Sequence, residues 1–162
     1  MQKHLTKYKE DARVKGVWSF TIRDAKTGKI KRVLTYNNII PTISRSQMVK
    51  ALAADLSTIA DIEINFHELG TGVTAPANGD TGLETPDAAT RGIISSSSAA
   101  SNVLNLVAFF SAGIAVGTFK EFATFMNGTG TSNSGTLFNR VAIDVTVSVS
   151  ETLTVDGTIT FT

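Results

Sequence analysis

The sequence predicts a mainly β protein: an antiparallel β-sandwich or jelly-roll-like domain with one helix, preceded by an N-terminal β-hairpin and arm. Three patterns predict it. In the last third, Leu137, Val141, Ile143, Val145, Val147 and Val149 take alternate positions, and Leu153, Val155, Ile159 and Phe161 do so again after a turn near Ser150-Glu151. Such a period of two places one face on a core and leaves the intervening Thr154, Asp156, Thr158 and Thr160 outside. Near the start, Trp18, Phe20 and Ile22 alternate with Val17, Ser19 and Thr21, and Ile30, Leu34 and Tyr36 follow a turn at 24–29 in which Gly28 supplies a positive φ. Between these regions lie glycine-, proline- and serine-rich stretches that break any helical period.

Along the chain, residues 1–15 form a basic arm without a clear period, 16–40 the hairpin, 41–59 the helical segment and 60–162 the sandwich. Ser44 is placed to cap a helix over about 44–57, with Met48, Val49, Leu52 and Leu56 at helical spacing. Ile62, Ile64 and Phe66 alternate with Glu63, Asn65 and His67, the pattern of a half-buried strand with His67 on its polar side. Residues 70–82 are too rich in breakers for regular structure. A short strand is expected at 90–95 and a flexible loop over the Ser/Ala run 95–101. Residues 103–112 are apolar at both parities, as in a strand covered on both faces or in a subunit contact. Residues 118–126 fit a helix stripe or a strand equally on pattern alone.

Composition narrows the function classes. A 162-residue chain can bury roughly 70% of its unfolded surface, enough for a real core. Without cysteine there is no disulfide framework and no thiolate chemistry. The charged opening segment argues against a signal peptide, and no apolar run reaches the ~20 residues of a membrane helix. The net charge of +1 hides an asymmetry: residues 1–50 hold twelve Lys or Arg against three acids, while the remainder holds three against eleven. Halves of opposite sign invite contact between subunits, or an anionic partner for the first half.

No catalytic constellation emerges, and no cofactor is implied. Gly70-Thr71-Gly72 is followed by Pro76 rather than by a lysine at a helix start, so it reads as a strand exit and not a phosphate cradle. Asp80, Glu84 and Asp87 lack the spacing of a calcium loop and read as an acid-lined, solvated loop. His4 and His67 have no second histidine or cysteine nearby for zinc, which leaves surface or interface hydrogen bonding. Serines 95–98 lack a nucleophile elbow. Lys3, Lys7, Lys9, Arg13, Lys15, Arg23, Lys31 and Arg32, interleaved with Trp18 and other aromatics, are candidates for a partner interface, together with Phe109 and Phe110 of the apolar segment. The same basic pattern admits nucleic acid through phosphate neutralisation and stacking, a reading ranked below contact with an acidic neighbouring subunit.

Three blocks in order carry a resemblance. They are His67-Glu68-Leu69-Gly70-Thr71-Gly72-Val73-Thr74-Ala75-Pro76 with Asp80-Thr81-Gly82-Leu83-Glu84 and Arg91; Gly135-Thr136-Leu137-Phe138-Asn139-Arg140-Val141; and Leu153-Thr154-Val155-Asp156-Gly157-Thr158-Ile159-Thr160-Phe161. This order, over about residues 36–162, resembles a family of tailed-bacteriophage virion structural proteins found in tails, baseplates, fibres and other particle parts. The segment Lys120-Glu121-Phe122-Ala123-Thr124-Phe125 departs from that family's pattern by lacking a glycine, although the likeness tilts 118–126 toward strand. The resemblance implies a β-rich fold, a non-enzymatic role, a virion location after synthesis in the host bacterial cytoplasm, other virion proteins as partners, and a homo-oligomer around a symmetry axis, without a membrane. A receptor- or glycan-binding tip using loops 70–89 and 127–135, and a capsid-decorating protein whose arm meets nucleic acid, are the alternatives.

Overall fold

The alternating apolar residues form two antiparallel sheets that face one another, in a computed structural model that describes residues 13–162. The arm lysines Lys3, Lys7 and Lys9 lie outside the described residues. Strands β1 (Val14–Asp24) and β2 (Ile30–Asn37) make the N-terminal hairpin; α1 (Thr42–Leu52) and β3 (Ile64–Gly70) follow. Then come β4 (Gly92–Ile93), β5 (Ser96–Ala100), β6 (Val103–Phe110), β7 (Gly117–Met126), β8 (Thr136–Val147) and β9 (Glu151–Phe161). One sheet has the order β2-β1-β9-β6-β5 and the other β4-β3-β7-β8, so the chain is a β-sandwich with one helix. The hairpin is no separate appendage in space, because β1 pairs along its whole length with β9.

Registry explains the core. Trp18 lies opposite Gly157, Phe20 opposite Val155 and Ile22 opposite Leu153, while Ala108 and Phe110 of β6 face the same β9 residues from the other side. This inner row meets Leu69, Phe122, Val141, Ile143 and Val145 of the second sheet in one buried cluster. The intervening rows point away from the core: Val17, Ser19 and Thr21 on β1, Val33 and Thr35 on β2, Thr154, Asp156 and Thr158 on β9, and Val107 and Phe109 on β6.

Several expectations change. The strand covered on both faces is β7, not 103–112: β6 keeps the period of two, with Leu106, Ala108 and Phe110 inside and Phe109 49% exposed. Residues 118–126 are strand, and their helix-like spacing comes from the register shift at Phe119/Glu121, which breaks the period and turns both Phe119 and Phe122 to the core. The shift at Thr124/Phe125 adds its extra residue on β8, turning Leu137 outward into a small cluster with Leu83, Ala123 and Phe125 while Phe138 joins Met126 in the main core. The Ser/Ala run expected as a loop is strand β5, held by the β6 ladder rather than by side-chain burial. The helix is shorter than 44–57: its N-cap is Pro41, and the chain turns at Ala54 with φ of 54°. Ser44 is buried in its first turn and donates to the carbonyls of Leu137 and Phe138. Of the apolar stripe only Met48 packs on the core, while Leu52 is 89% exposed. Val149 lies in the β8–β9 turn, exposed rather than inward.

His67 is also corrected. A register shift between Ile64 and Phe66 reverses the parity of β3, so His67 faces the main core, edge-on to Phe110 at 4.6 Å and stacked on Phe122 at 6.5 Å. Burial there pushes its pKa down to about 4, the nearby Arg91 charge adds to this, and the backbone at Ile93 opposes it. An unfolded histidine takes up its proton near pH 6.5. Between roughly pH 6.5 and 4 the unfolded chain therefore binds a proton that the folded chain refuses, and stability is full above that window and falls as pH is lowered through it. The expected loss is on the order of 3 kcal/mol over the whole window, of which about 2 kcal/mol falls above pH 5. Urea unfolding at neutral pH and near pH 5 should show it in the wild type, and His67→Phe should flatten the difference; an equal slope in both proteins would assign the acid loss to other groups.

Candidate functional site

Charged residues inside otherwise apolar strands build the most organised polar region. Glu121 sits in β7 and Arg140 in β8, on the face of their sheet turned away from the sandwich interior. Both are almost fully buried because the loop 71–91 lies over them. Arg140 meets the Glu121 carboxylate with Nε at 3.0 Å and Nη2 at 2.8 Å, donates from Nη1 to Asp80 at 2.8 Å, and from Nη2 to the Thr74 carbonyl at 3.1 Å. Burial pulls the Arg140 pKa down, but the hydrogen bond to Asp80 and the Glu121 charge more than compensate and hold it above its ordinary value.

Glu121 in turn accepts three backbone N–H groups of the covering loop: Gly72 at 3.1 Å, Thr85 at 2.7 Å and Glu84 at 3.0 Å. This contact accounts for two glycines. A Cβ on Gly70 would stand 2.5 Å from Glu121 Oε1 and 2.6 Å from the Thr85 carbonyl, and one on Gly72 would stand 2.6 Å from Glu121 Oε1 and from the Glu84 Cβ. The Gly70-Thr71-Gly72 exit thus presents its backbone to a carboxylate of its own chain.

A second buried pair holds the loop 127–135. Arg91 Nη1 lies 3.2 Å from Glu68 on β3, and its guanidinium is flanked by the rings of Phe66 and Phe125, with centroids at 4.9 and 4.3 Å. Its remaining donors reach the carbonyls of Thr129 at 3.1 Å and Ser134 at 2.8 Å. Glu68 accepts the Asn133 N–H at 3.0 Å and the Ser132 hydroxyl. The Asn133 side chain then ties the two loops together, accepting from Leu83 N–H at 2.8 Å and donating to its carbonyl at 3.0 Å.

Between the clamped loops lies a polar cleft of about 520 Å³, bordered by Thr74, Asp80, Glu84, Asn133 and Arg140. The three acids considered for calcium are not gathered. Asp80 accepts from Arg140 and from the Ala77 N–H, Glu84 from the Thr74 N–H and hydroxyl, and Asp87 from the Ala89 N–H at the start of a short 3-10 turn. Among the described residues no group of three His, Cys, Asp or Glu is placed to hold a metal ion.

The predicted interface residues are scattered by the fold. Trp18 and Phe110, expected on a contact surface, are 0% and 2% exposed and belong to the core, because their positions on β1 and β6 fall in the inward row. Phe109 stays on the outer sheet face. Lys31 pairs with Glu151 at 3.2 Å and Asp24 at 3.5 Å, and Arg32 reaches Glu151 at 3.4 Å and the Thr146 carbonyl at 2.6 Å. The Arg23 guanidinium reaches back to the Gly28 carbonyl at 3.4 Å. Arg13 and Lys15 border a second cleft of about 410 Å³ with Asn38, Arg45 and Asn78. Of the rings that would stack on bases, Tyr8 lies outside the described residues, Trp18 and Phe20 are buried, and half-buried Tyr36 packs edge-on to Phe20 with its hydroxyl bonded to Asp144.

Sequence reasoning missed Glu68 and Glu121 as organising groups and quoted Arg140 without giving it a role. The signal was present in the strands GTFKEFATFM and TLFNRVAIDVTV, where Glu121 and Arg140 stand against apolar neighbours and must be paired when buried. Compared with known proteins, the chain matches no family model, no curated protein and no solved structure.

Proposed function

We propose that the chain is a non-enzymatic structural component of a tailed-phage virion, present in multiple copies and held by protein contacts in the tail, baseplate, fibre, neck or head-attached region. One observation carries this reading: the charged residues of the first two motif blocks are used to fasten loops. Glu68, Asp80, Arg91 and Arg140 give their hydrogen bonds to one another, to Glu121 and to the backbone of 71–91 and 127–135. Residues of separate blocks thus serve rigidity at a common place, which suits a part that works by shape. The uncovered sheet face of threonine, serine, valine and Phe109 supplies surface for neighbours.

The test is imaging of intact particles carrying a labelled copy of the chain. Repeated density at one symmetric location is the expected result; particles that assemble normally and contain none of the label would overturn the assignment. A second reading, a receptor- or glycan-binding tip, draws on the polar cleft between the two clamped loops. Glycan-array binding that disappears when loop 127–135 is replaced would favour it.

A further inference from the structure

We propose that β5 is the strand through which two copies of this chain join, antiparallel and edge to edge, so that the five-stranded sheet continues across a two-fold axis. The inference rests on the assembly reading and deepens it by naming the surface and the partner. Its ground is a comparison of the four sheet edges. An edge strand exposes a row of backbone donors and acceptors that another strand can take up unless something blocks it.

Three edges are blocked. Along β8, Ser44 covers the carbonyls of Leu137 and Phe138, Ile39 exchanges two hydrogen bonds with Arg140 at 3.1 Å each, the Tyr36 hydroxyl both donates to and accepts from the Asp144 backbone at 3.1 Å, and Arg32 takes the Thr146 carbonyl. Those Arg32 and Tyr36 contacts fold the β2 edge against β8, and the edge carries Lys31, ion-paired with Glu151 and Asp24, with Lys29 just before the strand, side chains that blunt it against a further strand. On the opposite side, β4 is two residues long, and the chain crosses from it to the other sheet through the Ile94 N–H on Asn65 and the Ser95 N–H on Val107.

Among the described residues only β5 remains open. It is Ser-Ser-Ser-Ala-Ala, without charge or proline, and all five residues are exposed. It pairs with β6 through a two-residue turn at Ser101-Asn102, with Ser101 at φ 53°. With Ala100 and Val103 flanking that turn, antiparallel alternation directs the backbone groups of Ser97 and Ala99 away from β6. A second copy placed antiparallel about Ser98 sets Ser97 against its Ala99, and both residues of each such pair exchange N–H and C=O. Small uncharged side chains let the strands approach without repulsion. Charge therefore favours a second β5 as occupant: it is neutral along its whole length, whereas β2, the other edge of the same sheet, carries Lys31 and Arg32.

Sedimentation of the full chain over a range of concentrations tests this. The expected result is a reversible dimer whose association weakens by roughly tenfold or more in Ser98→Lys, which puts two like charges opposite one another, and in Ser97→Pro, which removes an outward donor. Ser57→Lys, a control for added charge, should leave association unchanged. Hydrogen exchange at Ser97 and Ala99 should slow as the wild type is concentrated, and Trp18 fluorescence reports whether each variant is folded. A dimer that persists at full strength in both folded β5 variants overturns the proposal, as does a wild type that stays monomeric; labelled chain still found in particles would then leave the virion reading standing alone.

Discussion

Replacing Arg140 with alanine should destabilise the protein by ~3–5 kcal/mol, the range for removing one partner of a buried ion pair. The loss is not the strength of one salt bridge. With the guanidinium gone, the Glu121 carboxylate is left without its charged partner, beside Asp80 and under the loop 71–91. Either the carboxylate takes up a proton or the loop leaves, and both outcomes raise the free energy of the folded state. For a domain of this size the change corresponds to a fall in Tm of roughly 10 °C. Glu121→Gln should cost a similar amount, since an amide turned toward Gly72, Glu84 and Thr85 cannot accept from all three N–H groups. The double variant should lose much less than the two single losses combined, because both break the same network. Urea unfolding of the three variants measures this, and limited proteolysis within 71–91 should quicken in each. A loss below about 1 kcal/mol for Arg140→Ala, with the loop still resistant, would show that the covering loop holds without its clamp.

The strands with a clean period of two could be read directly. β1, β8 beyond Arg140 and β9 alternate because one face meets the core and the other meets water, so polarity reports direction. The harder segments failed for identifiable reasons. β7 is apolar on both faces and breaks its period between Phe119 and Glu121, which made Phe119, Phe122 and Met126, with the outward Ala123, mimic a helix stripe. β5 buries nothing, so no hydrophobic signal marks it; its strand exists because β6 offers a ladder, a partner 5 to 11 residues away in the pairs Ala99↔Leu104 to Ser96↔Val107 only after the turn has formed. His67 was placed on the wet side because the period was run through a shift that only the pairing of β3 with β7 reveals. The site was least visible of all. Glu68, Arg91, Glu121 and Arg140 lie on four separate segments, and their pairing depends on which strands are neighbours in the sheet, a relation that spacing along the chain does not encode.

Trp18→Ala should also cost ~3–5 kcal/mol, as expected for truncating a fully buried aromatic residue, and the isolated chain should show it. The indole lies in the inward row of β1, 5.1 Å from Phe122, and presses on Gly157 of β9 so closely that a Cβ on that glycine would overlap its ring. Had Trp18 been an exposed docking residue, its removal would have left unfolding within about ±0.5 kcal/mol and changed association alone. Two further substitutions separate packing from any other role. Trp18→Phe should be far milder, because it keeps an aromatic ring in place and removes an indole N–H that is buried without a hydrogen-bond partner. Gly157→Ala should destabilise the wild type by ~1–3 kcal/mol through overpacking, yet cost little or even stabilise in the Trp18→Ala background, where its methyl enters the space the ring has left. Chemical unfolding followed by circular dichroism measures all four proteins, since the variants lacking Trp18 lose the only tryptophan signal. Additive losses in the double variant would mean that Trp18 and Gly157 do not share one packed site, and the inward assignment of β1 would fail with them.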